Sequence, residues 1–340
     1  MKSFNIGHSI QACKELMPGL MITALVAMAA AFLGNHYKGS MLLFALLLGL
    51  ALHFVSEDRR CKPGIQFASS TVLRLGVALL GLRLTIDNVA TLGWQTALAL
   101  LAAVCLTIAS GLVLAKTLKV DGNLGVLIGG ATAICGASAA LAISSVLPQN
   151  KDLERDTALT VVGVTTLSTI AMVTYPIITH WLGFSAVESG KFLGATIHDV
   201  AQVVGAGFSL SVDAGNAATI TKLIRVAYLM PVLLVITIVV RNRSPEPSGA
   251  GSATQTPLLP WFTLVFVIFM LINSTGIVPA SVQSAAATTS QAFLVLAIAG
   301  VGLKTSLQSI TQLGWRPVAM IVLVTLGLAV MAGTYLLLNR

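Results

Sequence analysis

The amino-acid sequence predicts an all-α polytopic membrane protein built on inverted-topology repeats, with two discontinuous or re-entrant helical segments and about 9–11 transmembrane helices. Three observations carry this. Of 340 residues, 56% are hydrophobic and only 9% charged, with a mean hydropathy of +0.91, whereas a soluble domain carries about 25% charged residues. The stretch "GLRLTIDNVATLGW" at 81–94 returns 221 positions later as "GLKTSLQSITQLGW" at 302–315. Two further apolar segments, unlike the rest, gather Gly, Ala, Ser and Thr at their midpoints.

At roughly 20 apolar residues per span, ordinary helices fall at about 17–34, 40–55, 66–88, 94–116, 157–181, 217–240, 258–275, 290–309 and 315–338. The two unlike segments are "NLGVLIGGATAICGASAALAISSVLP" at 123–148 and "SGKFLGATIHDVAQVVGAGFSL" at 189–210. Interrupted backbone at membrane depth is tolerated only where it faces protein or water, so both read as broken helices or re-entrant hairpins. If both cross, the chain has eleven spans; if both return, it has nine spans and two hairpins. Residues 1–340 read as a single transmembrane transporter domain. Within it lie a first repeat region at 40–118, a central segment at 123–210 with both broken-helix motifs, a flexible linker at 242–257 and a second repeat region at 261–339.

Five of the fourteen repeat positions are identical (Gly81/Gly302, Leu82/Leu303, Leu92/Leu313, Gly93/Gly314, Trp94/Trp315), and Arg83/Lys304, Thr85/Ser306 and Val89/Ile310 are close swaps. The match extends weakly, without gaps, to 40–55 against 261–276. An odd number of crossings separates the copies, so they point in opposite directions, as in many secondary transporters. Shared Gly-Trp interface anchoring is the blander explanation. It does not account for the Arg/Lys match.

The net charge of +8 resides in short clusters between apolar runs. Lys2 and Lys14, then Arg59, Arg60 and Lys62, then Lys116 and Lys119 alternate with loops holding only Lys38. The positive-inside rule then sets the N-terminus in the cytoplasm and the C-terminus on the opposite side of the membrane. If the two unlike segments behave alike, Arg241 and Arg243 put the linker on the cytoplasmic side as well. No long basic stretch points to nucleic acid, and four cysteines without CxxC spacing imply neither a disulfide framework nor a zinc site. No GxxxxGK[ST] motif occurs, so ATP drive within the chain and a bound cofactor are not expected.

An ionisable group inside a bilayer costs about 2.5–3.5 kcal/mol on insertion scales, so each needs a reason. The candidates are Arg74, Arg83, His198, Asp199, Lys222, Arg225 and Lys304. Five are cationic, and a cavity of that balance attracts an anion. Arg74 sits mid-helix, in a functional role or paired with Asp199. Arg83 and Lys304, equivalent in the repeat, lie roughly 10 Å from the bilayer centre. They either snorkel to headgroups or stand one at each mouth of an anion path. Lys222 and Arg225 are a helical turn apart, and Lys222 reads as a surface anchor.

Broken helices present free N–H groups and a positive dipole end at mid-membrane. Thr132, Cys135, Gly136 and Ser138 would line that point in the first segment, with Thr196 and Gln202 contributed by the second. Tight helix packing uses the same small residues. His198 titrates near neutrality, and Asp199 could fix its tautomer or carry a proton itself; the alternative is a buried structural His-Asp pair.

Through "GGATAICGASAALAISSVLP" with "FLGATIHDVAQVVGAG", and through "LRLGVALLGLRLT", the sequence resembles the YeiH-type sulfate-exporter family of bacterial inner-membrane proteins over nearly its whole length. The resemblance implies a secondary carrier related to cation/proton antiporters and anion transporters. It also implies inverted repeats, crossed discontinuous helices and a sulfur-oxyanion or sulfonate substrate.

The sequence therefore reads as a secondary active transporter of a small anion, sulfate or a related sulfur oxyanion or sulfonate, exporting by alternating access with proton coupling. Thr132, Cys135, Gly136, Ser138, Thr196, Gln202, Arg74, Arg83 and Lys304 would serve the substrate, and His198 and Asp199 the proton. The closest alternative is a cation/proton antiporter with Asp199 as the ion-binding carboxylate. A channel is a third reading. An intramembrane enzyme using Cys135 and His198 lacks an oxyanion-hole or metal motif, so no enzyme is expected. The lipid bilayer is the chain's medium, and a homodimer is compatible with it.

Overall fold

Lipid offers the backbone no hydrogen bonds, so helices are the economical solution. The computed structural model describes residues 6–37, 39–90, 92–148, 152–243, 261–306 and 314–339, and all regular structure among them is helical. The chain begins with α1 (Ile6–His36) and α2 (Met41–Ala51). Next, α3 (Lys62–Phe67), a π turn at Ala68–Val72, α4 (Leu73–Leu80) and a 3-10 turn at Gly81–Arg83 run on as one rod. After the short α5 (Ile86–Ala90) come α6 (Trp94–Leu118), α7 (Gly122–Ala133), α8 (Ala137–Ser144) and α9 (Leu153–Trp181). The order continues with α10 (Ala186–Thr196), α11 (Val200–Leu210), α12 (Val212–Ala227) and α13 (Leu229–Arg243). It closes with α14 (Trp261–Ser274), α15 (Ala280–Lys304) and α16 (Trp315–Leu338).

Seven of these helices or helix runs are long and apolar enough to cross a membrane. The spans expected at 40–55 and 258–275 are shorter, α2 having 11 residues and α14 having 14 among those described. α2 gives way to a 3-10 turn at His53–Glu57, where His53 leaves the helix to meet a carbonyl. The helix expected at 290–309 starts earlier, at Ala280. Its first turns, "ASVQSAAATTSQ", are too polar for a hydropathy ruler but rich in alanine, the best helix former. The linker lies outside the described residues beyond Arg243, as do residues 307–313, which include Ile310 and Leu313 of the repeat.

The chain divides into two units, Met1–Ile86 with Leu264–Ser306, and Asp87–Thr263 with Leu307–Arg340. Element bounds keep the 221-residue offset: one pair of helical runs ends at Arg83 and Lys304, and the next pair begins at Trp94 and Trp315. Between them, Leu84–Thr85 and Thr305–Ser306 are non-helical at equivalent positions. In the first unit these ends are capped reciprocally. His53 Nδ1 meets Leu303 O at 2.8 Å from the end of α2, and Asn273 Nδ2 donates to Leu84 O at 3.1 Å from the end of α14.

In the second unit α6 and α16 run antiparallel. Ala115, late in α6, shares a core with Met320, Ile321 and Val324, early in α16, while Trp94 and Leu338 border one groove at the other end. The two interrupted segments are hairpins. Leu127 of α7 packs in one cluster with Ile143 and Leu147, beyond the break, and a Cβ on Gly130 would strike the Ile143 side chain. Likewise Gly190 of α10 and Gly207 of α11 both lie against Ala214 of α12. The crossed, through-running helices implied by the resemblance are thus replaced by fold-backs. An α7 of 12 residues is about 18 Å long, half a hydrocarbon core rather than a span.

The hairpins come from opposite ends of the α12–α13 rod. α7 and α8 pack beside Leu233, Ile236 and Val240 of α13, whereas α10 and α11 lie against Ala214 and Ala218 of α12. Backbone-to-backbone seams hold each one in place. On α6, a Cβ at Gly111 would collide with Gly125 O of α7. Gly111→Val should therefore cost about 1–3 kcal/mol of overpacking, read as a lowered melting temperature in detergent. Gly327→Ala, with nothing near its Cβ, should leave it unchanged.

Candidate site at the hairpin tips

The tip of the first hairpin is Ile134–Gly136. Ile134 departs from helical geometry (φ −114°, ψ −85°), and Gly136 turns the chain with φ +65°, a conformation that disfavours any side chain. A Cβ there would also touch His198, at 3.5 Å. The second tip is Ile197–Asp199, where Ile197 and Asp199 are extended. The two tips therefore meet at Gly136 and His198.

Each break frees carbonyls at the end of one half-helix and amides at the start of the next. Two fully buried cations of α12 take the carbonyls. Lys222 Nζ donates to Ile134 O at 2.6 Å and to Ile197 O at 2.9 Å. Arg225 donates through Nε to Ala133 O (2.8 Å), through Nη2 to Thr132 O (2.7 Å) and Ala133 O (2.6 Å), and through Nη1 to Gly194 O (3.0 Å) and Ile197 O (3.2 Å). Both cations thus bind both tips. They also face the C-terminal, negative ends of α7 and α10, where positive charge is favourable.

This overturns the reading of Lys222 as a surface anchor. Its sequence position suggested a helix end, but it sits ten residues into a rod of 31. The partners of both cations are main-chain carbonyls, which no residue type announces. One available signal was the recurrence of Gly-Ala-Thr at 130–132 and 194–196, immediately before each break.

The amides are served differently. Ser168 Oγ of α9 accepts from both the His198 and Asp199 amides, at 3.2 and 3.1 Å, and the Asp199 carboxylate caps α11 at the Ala201 amide, 2.7 Å away. Gly136 gives the first turn of α8 no N-cap side chain, the Cys135 sulfur meets the Ala139 amide, and Ser138 within that turn is exposed. Asp199 is half-buried.

The tips bring together Thr132, Cys135, Gly136, Ser138, Thr196, His198, Asp199 and Gln202, though not all in the roles the sequence suggests. The Thr196 hydroxyl is spent inside its own helix on Phe192 O, and Gln202 Nε2 donates to Thr169 Oγ1 of α9 at 2.7 Å. The thiol of Cys135 is buried, close enough to Lys222, Asp199 and Arg225 to feel their charges. His198 and Asp199 do not pair: His198 Nε2 meets Thr325 Oγ1 of α16 at 3.0 Å. Its Nδ1 is buried without a hydrogen-bond partner. Thr132 Oγ1, Thr221 Oγ1 and Gln202 Oε1 are likewise buried without partners. Arg74, Arg83 and Lys304 belong to the other unit and are exposed there. No group of three or more metal-ligating side chains occurs among the described residues.

A family model, described as Conserved hypothetical protein 698, matches residues 18–321. The chain belongs to the UPF0324 membrane protein family. Members similar to it include a UPF0324 membrane protein of Chlorobaculum tepidum, 45% identical over 97% of this chain and 93% of the relative. Another is the UPF0324 membrane protein TauZ of Paracoccus denitrificans, 49% identical over 92% of each chain. The UPF0324 inner membrane protein YeiH of Salmonella typhimurium is 32% identical over 94% of this chain and 93% of its own. No solved structure matches the chain. Within UPF0324, the YeiH likeness seen in the sequence is one of full length.

Removing a donor strands buried carbonyls at about 1–3 kcal/mol each. Arg225→Met strands those of Thr132, Ala133 and Gly194, whereas Lys222→Met strands only that of Ile134, because Arg225 still serves Ile197. The expected order of thermal stability in detergent is parent, then Lys222→Met, then Arg225→Met, the last losing at least about 3 kcal/mol.

Proposed function

We propose that this chain is a secondary transporter that moves a small anion, sulfate or a related sulfur oxyanion or sulfonate, by alternating access. The charge balance at the hairpin tips carries the reading. Two half-helix N-termini of about +0.5 each cancel two C-termini of about −0.5 each. What remains is Lys222 and Arg225 against the single carboxylate of Asp199, an excess of one positive charge where bilayer permits little. The start of α8, without an N-cap side chain and with Ser138 exposed, offers that charge to a ligand. The unpartnered hydroxyls of Thr132 and Thr221 are donors in reserve.

The antiparallel course of α6 and α16, which carry the matched Trp94 and Trp315, supports inverted repeats as the moving frame. Export as the direction, and sulfur chemistry as the substrate, rest on the family likeness. YeiH of Salmonella typhimurium is named an inner membrane protein, and the same membrane is taken for this chain. The N-terminus is cytoplasmic by the distribution of Lys and Arg. Proton coupling falls to Asp199, the accessible acid, with His198 as the second titratable group of the pair of tips. Arg83 and Lys304, at the ends of their helical runs, then act as exposed basic groups of the first unit that draw anions from solution, whereas Arg74, midway along its rod, does not. The cation/proton alternative keeps Asp199 as its ion ligand and is opposed by the charge excess.

Proteoliposomes loaded with labelled sulfate, sulfite, thiosulfate or taurine should show saturable, exchangeable flux of at least one of them, with a pH gradient altering its rate. Ser138→Asp decides the sign of the charge carried. An acid in the first turn of α8 suits the helix, so folding should hold, yet repulsion of about 4 kcal/mol at 4 Å should cut anion flux at least about a hundredfold. Retained anion flux in that variant, or flux of sodium instead, would defeat the reading.

A further inference from the structure

A groove of about 860 Å³ opens along the second unit between α6, α10 and α16. Its walls include Leu98 and Ala102 of α6, Ala195 of α10 and Met331 and Tyr335 of α16. One end is polar. There Lys191 of α10 spends a single N–H on Leu92 O, at 3.2 Å, and lies beside Trp94, which is 72% exposed. The acid on its own helix, Glu188, accepts from the Ser185 amide at 2.8 Å in a capping box, and its charge also acts on Lys191, one turn away. The first turn of α6 has no side-chain cap at the same end.

An apolar trough lined by Trp94 and Tyr335, with a cation at its polar end, matches an amphiphile lying across the membrane–water boundary. We propose that this groove seats an acyl chain of an anionic phospholipid, with the headgroup phosphate on Lys191. The site is separate from the hairpin tips but borders them. Ala195 stands one residue before Thr196, the last residue of α10, and α16 also carries Thr325 to His198. A lipid in the groove braces α10 against α16.

The test is native mass spectrometry of the full-length protein released from vesicles of equal phosphatidylcholine and phosphatidylglycerol. One phosphatidylglycerol should be retained over phosphatidylcholine by about fivefold, the effect of one basic residue at an anionic surface. Lys191→Gln should erase that preference while keeping a lipid bound. Ala102→Trp, which fills the trough, should release both lipids, and Ala103→Phe serves if that variant fails to fold. Absence of preference in the parent overturns the proposal, as does unchanged retention in a folded groove-filling variant. A filled variant that turns a dimer into a monomer without losing lipid assigns the groove to a second copy instead.

Discussion

Everything in the second unit depends on two side chains of α12 reaching main-chain carbonyls. A hairpin buried in a membrane protein exposes the end of a helix, and each stranded carbonyl there costs as much as a lost hydrogen bond. Two hairpins meeting tip to tip would double that cost. Arg225 suits the task because its planar fork presents several donors at fixed spacing, so one residue serves four carbonyls from two tips. Lys222 adds a compact donor between Ile134 and Ile197. The result is a polar knot within an apolar rod, and the Gly seams along α6, α7, α10 and α12 bring the backbones near enough for it to close.

The same arrangement gives the region its chemistry. Donors spent on carbonyls hold the tips together, while the first turn of α8 lacks an N-cap side chain and the Thr132 and Thr221 hydroxyls and the Gln202 Oε1 atom are buried without partners. His198 belongs to both sets. Its ring ties α16 to the second tip through Thr325, and its backbone is held by Ser168 of α9. Any ligand or proton arriving at the tips would thus be sensed by α9, α12 and α16 together. That is the mechanical requirement of the transport cycle proposed above.

The sequence discloses the long helices because lipid tolerates little but apolar residues over a full span, and residues such as those of Trp94–Leu118 meet that condition without ambiguity. It also discloses where the chain breaks, since Gly136 and the His198–Asp199 pair have no place in an ordinary span. It does not disclose whether the broken segments return, because the same small residues suit a crossing helix and a hairpin. Nor does it disclose the use of Lys222 and Arg225: insertion cost marks both as expensive, but their partners are carbonyls of residues that could be almost anything. Arg74 was singled out by its central position in a helix, yet it is exposed, since depth along a span says nothing about which side of the helix a residue occupies.

The reciprocal caps at Leu84 and Leu303 bear on how the first unit keeps its helix ends. His53 and Asn273 pin the helix ends just before the two extended dipeptides, Leu84–Thr85 and Thr305–Ser306, near which the chain leaves one unit for the other. Each cap thus stands beside the point where its helical run ends, and those points lie 221 residues apart. Unwinding either end would cost the first unit a side-chain hydrogen bond supplied from far along the chain, so the two ends are guarded alike.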